Sequence, residues 1–127
     1  MEKLIGITNA AEEIVTEKNI ALALKSGSLK VYATPAMIRL IEEAAAELLE
    51  KNLPPDKTSV GISLNVKHTS PTSLGMKVRA EVKIISVEGR KIIFEVVARD
   101  ERGEIGRGIH ERFIANAENF QHKAEAK

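Results

Sequence analysis

Only one segment of this chain can form a long amphipathic helix, and everything else has to be arranged around it. Residues 34–49 read Thr-Pro-Ala-Met-Ile-Arg-Leu-Ile-Glu-Glu-Ala-Ala-Ala-Glu-Leu-Leu. At about 100° per residue, Met37, Leu40, Ile41, Ala44, Ala45 and Leu48 share one side, widened by Ile38 and Leu49. Arg39, Glu43, Glu47 and Glu50 take the opposite side. Thr34 suits the N-cap, where its hydroxyl can accept a hydrogen bond from a first-turn N–H. Pro35 suits the first helical position, where its missing N–H costs nothing. Pro54 and Pro55 cannot continue a helix, so the element should run from about Pro35 to Lys51. Glu42 departs from the pattern, because it projects beside Ile38 and Leu49 on the border of the apolar stripe. A carboxylate placed there has a partner or a task.

The remainder reads as strand and turn. Ala10 to Glu17 is an expected first strand, Asn19 to Leu24 a short helical turn, and Leu29 to Ala33 an extended lead into the helix. Downstream, Val60, Ile62, Leu64 and Val66 alternate with polar or small residues, the period-2 signature of a half-buried strand. His68 is the next residue on that face. Pro71 to Gly75 is a turn. Val78, Ala80, Val82 and Ile84 form the inward side of the next strand, and Glu88-Gly89 turns it into Ile92, Phe94, Val96 and Ala98. Asp100 to Gly103 turns again into a last strand, Glu104 to Ala115. The expected architecture is α+β: a long central helix wrapped by a curved antiparallel sheet, with the last four strands as a meander. At 127 residues the chain supports one core. One domain is expected over residues 1–120, with a polar, frayed tail at 121–127. Edge strands of this length call for covering, hence for a homodimer or a higher oligomer.

Composition closes off several functions. With 19 basic and 18 acidic residues the net charge is +1, which gives no electrostatic case for nucleic acid. The only aromatics, Tyr32, Phe94, Phe113 and Phe120, are too few for a base-stacking platform. The absence of cysteine excludes disulfides, thiolate catalysis and cysteine-ligated zinc. No apolar run suggests a leader or a membrane span, so a cytoplasmic protein without membrane contact is expected. Dinucleotide and P-loop fingerprints are missing. A metal held by His68, His110 and Glu42 would lack compact ligand spacing, so no cofactor is expected.

Three residues have complementary chemistry. Taken singly, Thr34 is a cap, Glu42 a rim carboxylate and His68 a structural histidine. Together they sit at the ends or margins of elements that must pack on one another. A threonine hydroxyl needs a base before it can attack, and histidine titrates near neutrality. A partly buried glutamate can act as base or stabilise an imidazolium. Gly61 offers a backbone N–H unobstructed by a side chain, which could polarise a carbonyl oxygen, although a strand twist would explain it equally well. In the last strand, His110 and Arg112 fall on one face with Gly106 and Gly108, which leaves room there for another backbone or a ligand.

Thr34-Pro35, Glu42 eight residues on, Ser59-Val60-Gly61, Val66-Lys67-His68-Thr69 and Gly108-Ile109-His110-Glu111-Arg112 resemble the fluoroacetyl-CoA thioesterase family across roughly residues 10–116. The resemblance implies a hotdog fold, a homodimer with two active sites at the subunit interface, and hydrolysis of acyl-CoA thioesters. It implies that Thr34, Glu42 and His68 are catalytic, that Gly61 lies near the thioester and that Arg112 binds substrate. It also implies aromatic residues in the short segment before the helix. Ala21 to Leu29 contains none, so a short acyl group other than fluoroacetyl is expected. The alternative is a non-catalytic hotdog module that binds acyl-CoA or another small ligand, with Thr34 only capping the helix. A dehydratase on the same fold would want the histidine and a carboxylate but not Thr34.

Overall fold

The computed structural model describes residues 1–127. The amphipathic segment forms α2, Thr34–Glu50. Its stripe is buried as the periodicity requires: Met37, Leu40, Ala44, Ala45 and Leu49 are all at 0% exposure. The alanines in mid-stripe let the sheet approach the helix backbone closely. Before it come a single 3-10 turn at Glu2–Leu4, β1 (Thr8–Ile14) and the one-turn α1 (Ala21–Leu24). After it come β2 (Lys57–His68), β3 (Lys77–Glu88), β4 (Lys91–Asp100) and β5 (Gly103–Asn116).

The five strands form one antiparallel sheet, ordered β1-β3-β4-β5-β2, that curls around α2. This is the expected α+β architecture, with two corrections. The meander covers only β3, β4 and β5. These strands are joined by two-residue turns: Gly89-Arg90, with Gly89 at φ 66, and Glu101-Arg102, where Asp100 accepts from the Arg102 and Gly103 N–H groups. β2 instead crosses to the far edge and pairs with β5, because the Thr69–Met76 connection is long enough to span the sheet. The second correction concerns the C-terminus. Residues expected to fray largely form α3, Ala117–Glu125, which spans the expected boundary at residue 120 and starts with the Asn116 side chain accepting from the Asn119 N–H.

The inward faces of β3 and β4 are as the alternation required, with Val78, Ala80, Val82, Ile84, Ile92, Phe94, Val96 and Ala98 all at 1% exposure or less. β2 behaves differently. Its register against β5 slips between Gly61 and Ser63, leaving Ile62 as an unpaired bulge residue at 51% exposure. Val60 and Ile62 therefore do not share a face with Leu64, Val66 and His68. Ser59 and Gly61 do, opposite Ile114 and Arg112 of β5.

Candidate active site

Thr34 is not the cap. Ala33 holds the N-cap position, Thr34 is the first residue of α2, and no side chain caps the helix. The threonine hydroxyl meets His68 Nδ1 at 2.8 Å, joining the start of α2 to the end of β2. Both residues line a pocket of about 300 Å³ with Ser26, Val31, Tyr32 and Ser70. The buried Tyr32 ring meets the His68 ring edge-on, with centroids 6.5 Å apart. Its hydroxyl donates to Glu13 Oε2 at 2.5 Å, and Glu13 also receives Arg39 at 2.8 Å. Burial, then the hydrogen bond to Glu13, push the Tyr32 phenol above its usual range, so it stays protonated. Burial also pushes His68 below the ordinary histidine range, against an opposing pull from the Ser70 backbone. The imidazole is therefore neutral at pH 7 and has a lone pair available for a proton. Its Nε2 is buried and has no hydrogen-bond partner.

Glu42 lies elsewhere in the chain. Eight residues along α2 carry it about 12 Å from Thr34, where it joins Gly61, Arg112 and His110. Arg112, 6% exposed, reaches Glu42 Oε2 through Nη1 at 3.3 Å. The same guanidinium donates from Nε to Ser59 Oγ at 2.8 Å, from Nη2 to the Ser59 carbonyl at 3.1 Å, and from Nη1 to His110 Nε2 at 3.1 Å. Burial lowers the Arg112 pKa, and the Glu42 charge works against that shift. Glu42 is half-buried, and its Oε1 makes no hydrogen bond. At Gly61, a Cβ would collide with the Glu42 carboxylate and stand 3.3 Å from both Arg112 Nη1 and His110 Cε1. The glycine is what lets the carboxylate lie on the strand.

Within one chain, then, the five residues singled out from sequence form two groups. Thr34 meets His68, and Glu42 meets Gly61 and Arg112. Ser59 and His110 complete the second group. Sequence reasoning named Ser59 only within the Ser59-Val60-Gly61 motif and gave it no role, because it read β2 as one unbroken alternation; with the bulge, Ser59 and Gly61 share the face of His68. No three His, Asp or Glu side chains converge as they would around a metal ion.

A family model described as fluoroacetyl-CoA-specific thioesterase matches residues 15–118. The chain belongs to that family. It is 37% identical to the fluoroacetyl-CoA thioesterase of Streptantibioticus cattleyicolor over 98 residues, 77% of this chain and 70% of that protein. A solved fluoroacetyl-CoA thioesterase superposes with a TM-score of 0.91 at 30% identity, over 97% of this chain and 96% of that one. A hot-dog-like protein from Thermanaerovibrio acidaminovorans gives a TM-score of 0.88 at 24% identity, over 96% and 90% of the two chains, a likeness of fold alone. Family membership makes the protein a thioester hydrolase acting on acyl-CoA, built on the hotdog fold. No helix in it is long and apolar enough to cross a membrane.

Proposed function

We propose that this thioesterase hydrolyses a short acyl-CoA with Thr34, His68 and Glu42, the last supplied by a second copy of the chain. The observation that carries the reading is the Thr34 Oγ1–His68 Nδ1 contact at 2.8 Å, made by a hydroxyl that caps nothing and faces a pocket. In this reaction the hydroxyl oxygen attacks the thioester carbonyl carbon as its proton passes to Nδ1. The C–S bond then breaks, and the CoA thiolate leaves with that proton. Glu42 then takes a proton from a water as its oxygen attacks the acyl-threonine; the bond from the acyl carbon to Thr34 Oγ1 breaks, the proton passes from Glu42 to Oγ1, and the carboxylic acid leaves. Gly61 lets the Glu42 carboxylate lie against β2, and the guanidinium of Arg112 holds it there and supplies positive charge. The pocket of about 300 Å³ suits a small acyl group. With no aromatic in Ala21 to Leu29 to select fluoroacetyl, the favoured substrate is an unfluorinated short chain. In support, a threonine-to-serine variant of a fluoroacetyl-CoA thioesterase, 30% identical to this chain, has been solved with acetyl-CoA.

The edge of β2 supplies the geometry for sharing. An isologous antiparallel pairing of two β2 edges centred near Leu64 and Asn65 sets Gly61 and Glu42 of one copy beside His68 of the other. Subunit mixing tests this. Glu42→Gln and His68→Ala chains, each inactive alone, should recover about a quarter of wild-type activity when mixed, because half the dimers carry one intact composite site. No recovery places the site within one chain. Thiol release from a panel of acyl-CoAs identifies the acyl group. Unchanged CoA binding with no turnover on any of them leaves the binding-module reading.

A further inference from the structure

We infer that His110 is a positioning residue for this reaction: it is a tautomer-fixed neutral acceptor that holds the Arg112 guanidinium so that one Nη1 hydrogen points at Glu42. The inference rests on the reading of Glu42 as the reacting carboxylate.

His110 is fully buried on β5, stacked on Phe94 with ring centroids 5.9 Å apart. Its Nδ1 lies 2.9 Å from the carbonyl of Ser63, the residue at which β2 resumes pairing after the bulge. A carbonyl oxygen only accepts, so Nδ1 carries the ring proton. Nε2 is then a bare lone pair, and it faces an Arg112 N–H at 3.1 Å. A protonated imidazole would present a second donor to a guanidinium that has only donors, so this site admits the neutral ring alone. Burial and the Arg112 charge act in the same direction.

The consequence for Arg112 is geometric. Ser59 fixes one side of the planar fork through Nε and Nη2. His110 takes one of the two Nη1 hydrogens, and the direction of the other is then determined. That hydrogen meets Glu42 Oε2, which leaves Oε1 without a hydrogen bond and open to a water or substrate proton. A side chain that only filled the core could as well be a phenylalanine, which would pack against Phe94 with no nitrogen to satisfy.

The test follows from that last point. His110→Phe keeps the ring and its stacking but can neither donate nor accept. His110→Gln supplies an amide N–H and a carbonyl oxygen on one side chain. His110→Phe should lower kcat roughly 10- to 10²-fold, the scale of a small misplacement of a reacting group, with KM unchanged. His110→Gln should restore most of that loss. In the Glu42→Gln background, His110→Phe should cost no more than about twofold further, because the two act as one unit. Equal losses in both backgrounds, a raised KM with kcat intact, or no difference between Phe and Gln would overturn the inference. If Glu42→Gln is itself fully active, the reading of Glu42 falls and this inference with it. If Glu42→Gln is impaired and His110→Phe is not, only this inference falls. A measurement independent of any variant is the imidazole nitrogen NMR shifts of the wild-type enzyme. Across the pH range of activity, His110 Nδ1 should be protonated and Nε2 bare, and a proton on Nε2 would contradict the assignment.

Discussion

The two halves of the site are built on opposite principles. At the start of α2, Thr34 and His68 share one hydrogen bond, the threonine is exposed, and a buried imidazole nitrogen is left without a partner. Around Glu42, a buried arginine spends four hydrogen bonds on three neighbours, and a histidine is held through both nitrogens. Groups that must exchange protons and form bonds cannot also be saturated with fixed partners. Groups that hold a charge in place work better the more they are fixed. In the proposed reaction the difference divides the labour: the sparse half forms and breaks the acyl bond, and the dense half holds Glu42 in place to take a proton.

The largest effects test whether both halves serve one reaction. Glu42→Gln and His68→Ala should each lower kcat by roughly 10²–10⁴-fold, measured as thiol release at saturating substrate. Full activity in both would dissolve the comparison and place the chemistry on other residues. Gly61→Ala probes the dense half without touching a functional group. Its new methyl would displace the Glu42 carboxylate, and a shift on the order of 1 Å should cost roughly 10²-fold in kcat. Because the position lies within a strand and has no positive φ, circular dichroism and melting should stay near wild type.

Stability should separate the halves. Arg112→Lys replaces a fork with a point charge and leaves Ser59 and His110 acceptors unpaired, for a loss of about 2 kcal/mol in denaturant unfolding. His68→Ala should cost distinctly less, since it removes one hydrogen bond at an exposed hydroxyl. The smallest effect is that of pH. Both His68 and His110 are held below the ordinary histidine value of 6.5 by burial. The acidic limb of kcat/KM should therefore fall below pH 6.5, where His68 finally protonates. The unfolded chain takes up these protons first, so stability is fully present above pH 6.5 and is lost as pH falls through the folded-state values. Unfolding titrations at several pH values should show that decline, and His110→Gln should remove part of it.

Much of this was legible in the sequence. The helix stripe and the inward faces of β3 and β4 follow from period alone, because uninterrupted alternation leaves one way to face a core. The residues of both groups carry their chemistry in their identities. What the sequence hid was set by tertiary competition. Thr34 looks like a cap until His68 is brought within reach, and the hydroxyl then goes to the imidazole. β2 looks like the first strand of a meander, because nothing local says that β5 offers the better partner. Ser59 and His110 stood in recognisable motifs but without roles of their own, because those roles exist only through Arg112.

The bulge at Ile62 has a consequence for how this chain can change. Gly61 and His68 are seven residues apart, an odd interval that uninterrupted pleating would send to opposite sides of the sheet. Ile62 acts as a frame insertion that restores the reading. The residue itself is half in water in the single chain, and none of the site's hydrogen bonds runs through its side chain, so within one chain its identity should be exchangeable. Its presence should not be. Delete it, and whichever end of β2 keeps its pairing, the other end turns outward, so either Glu42 loses Gly61 or Thr34 loses His68. At this position the enzyme is tolerant of spelling and intolerant of length.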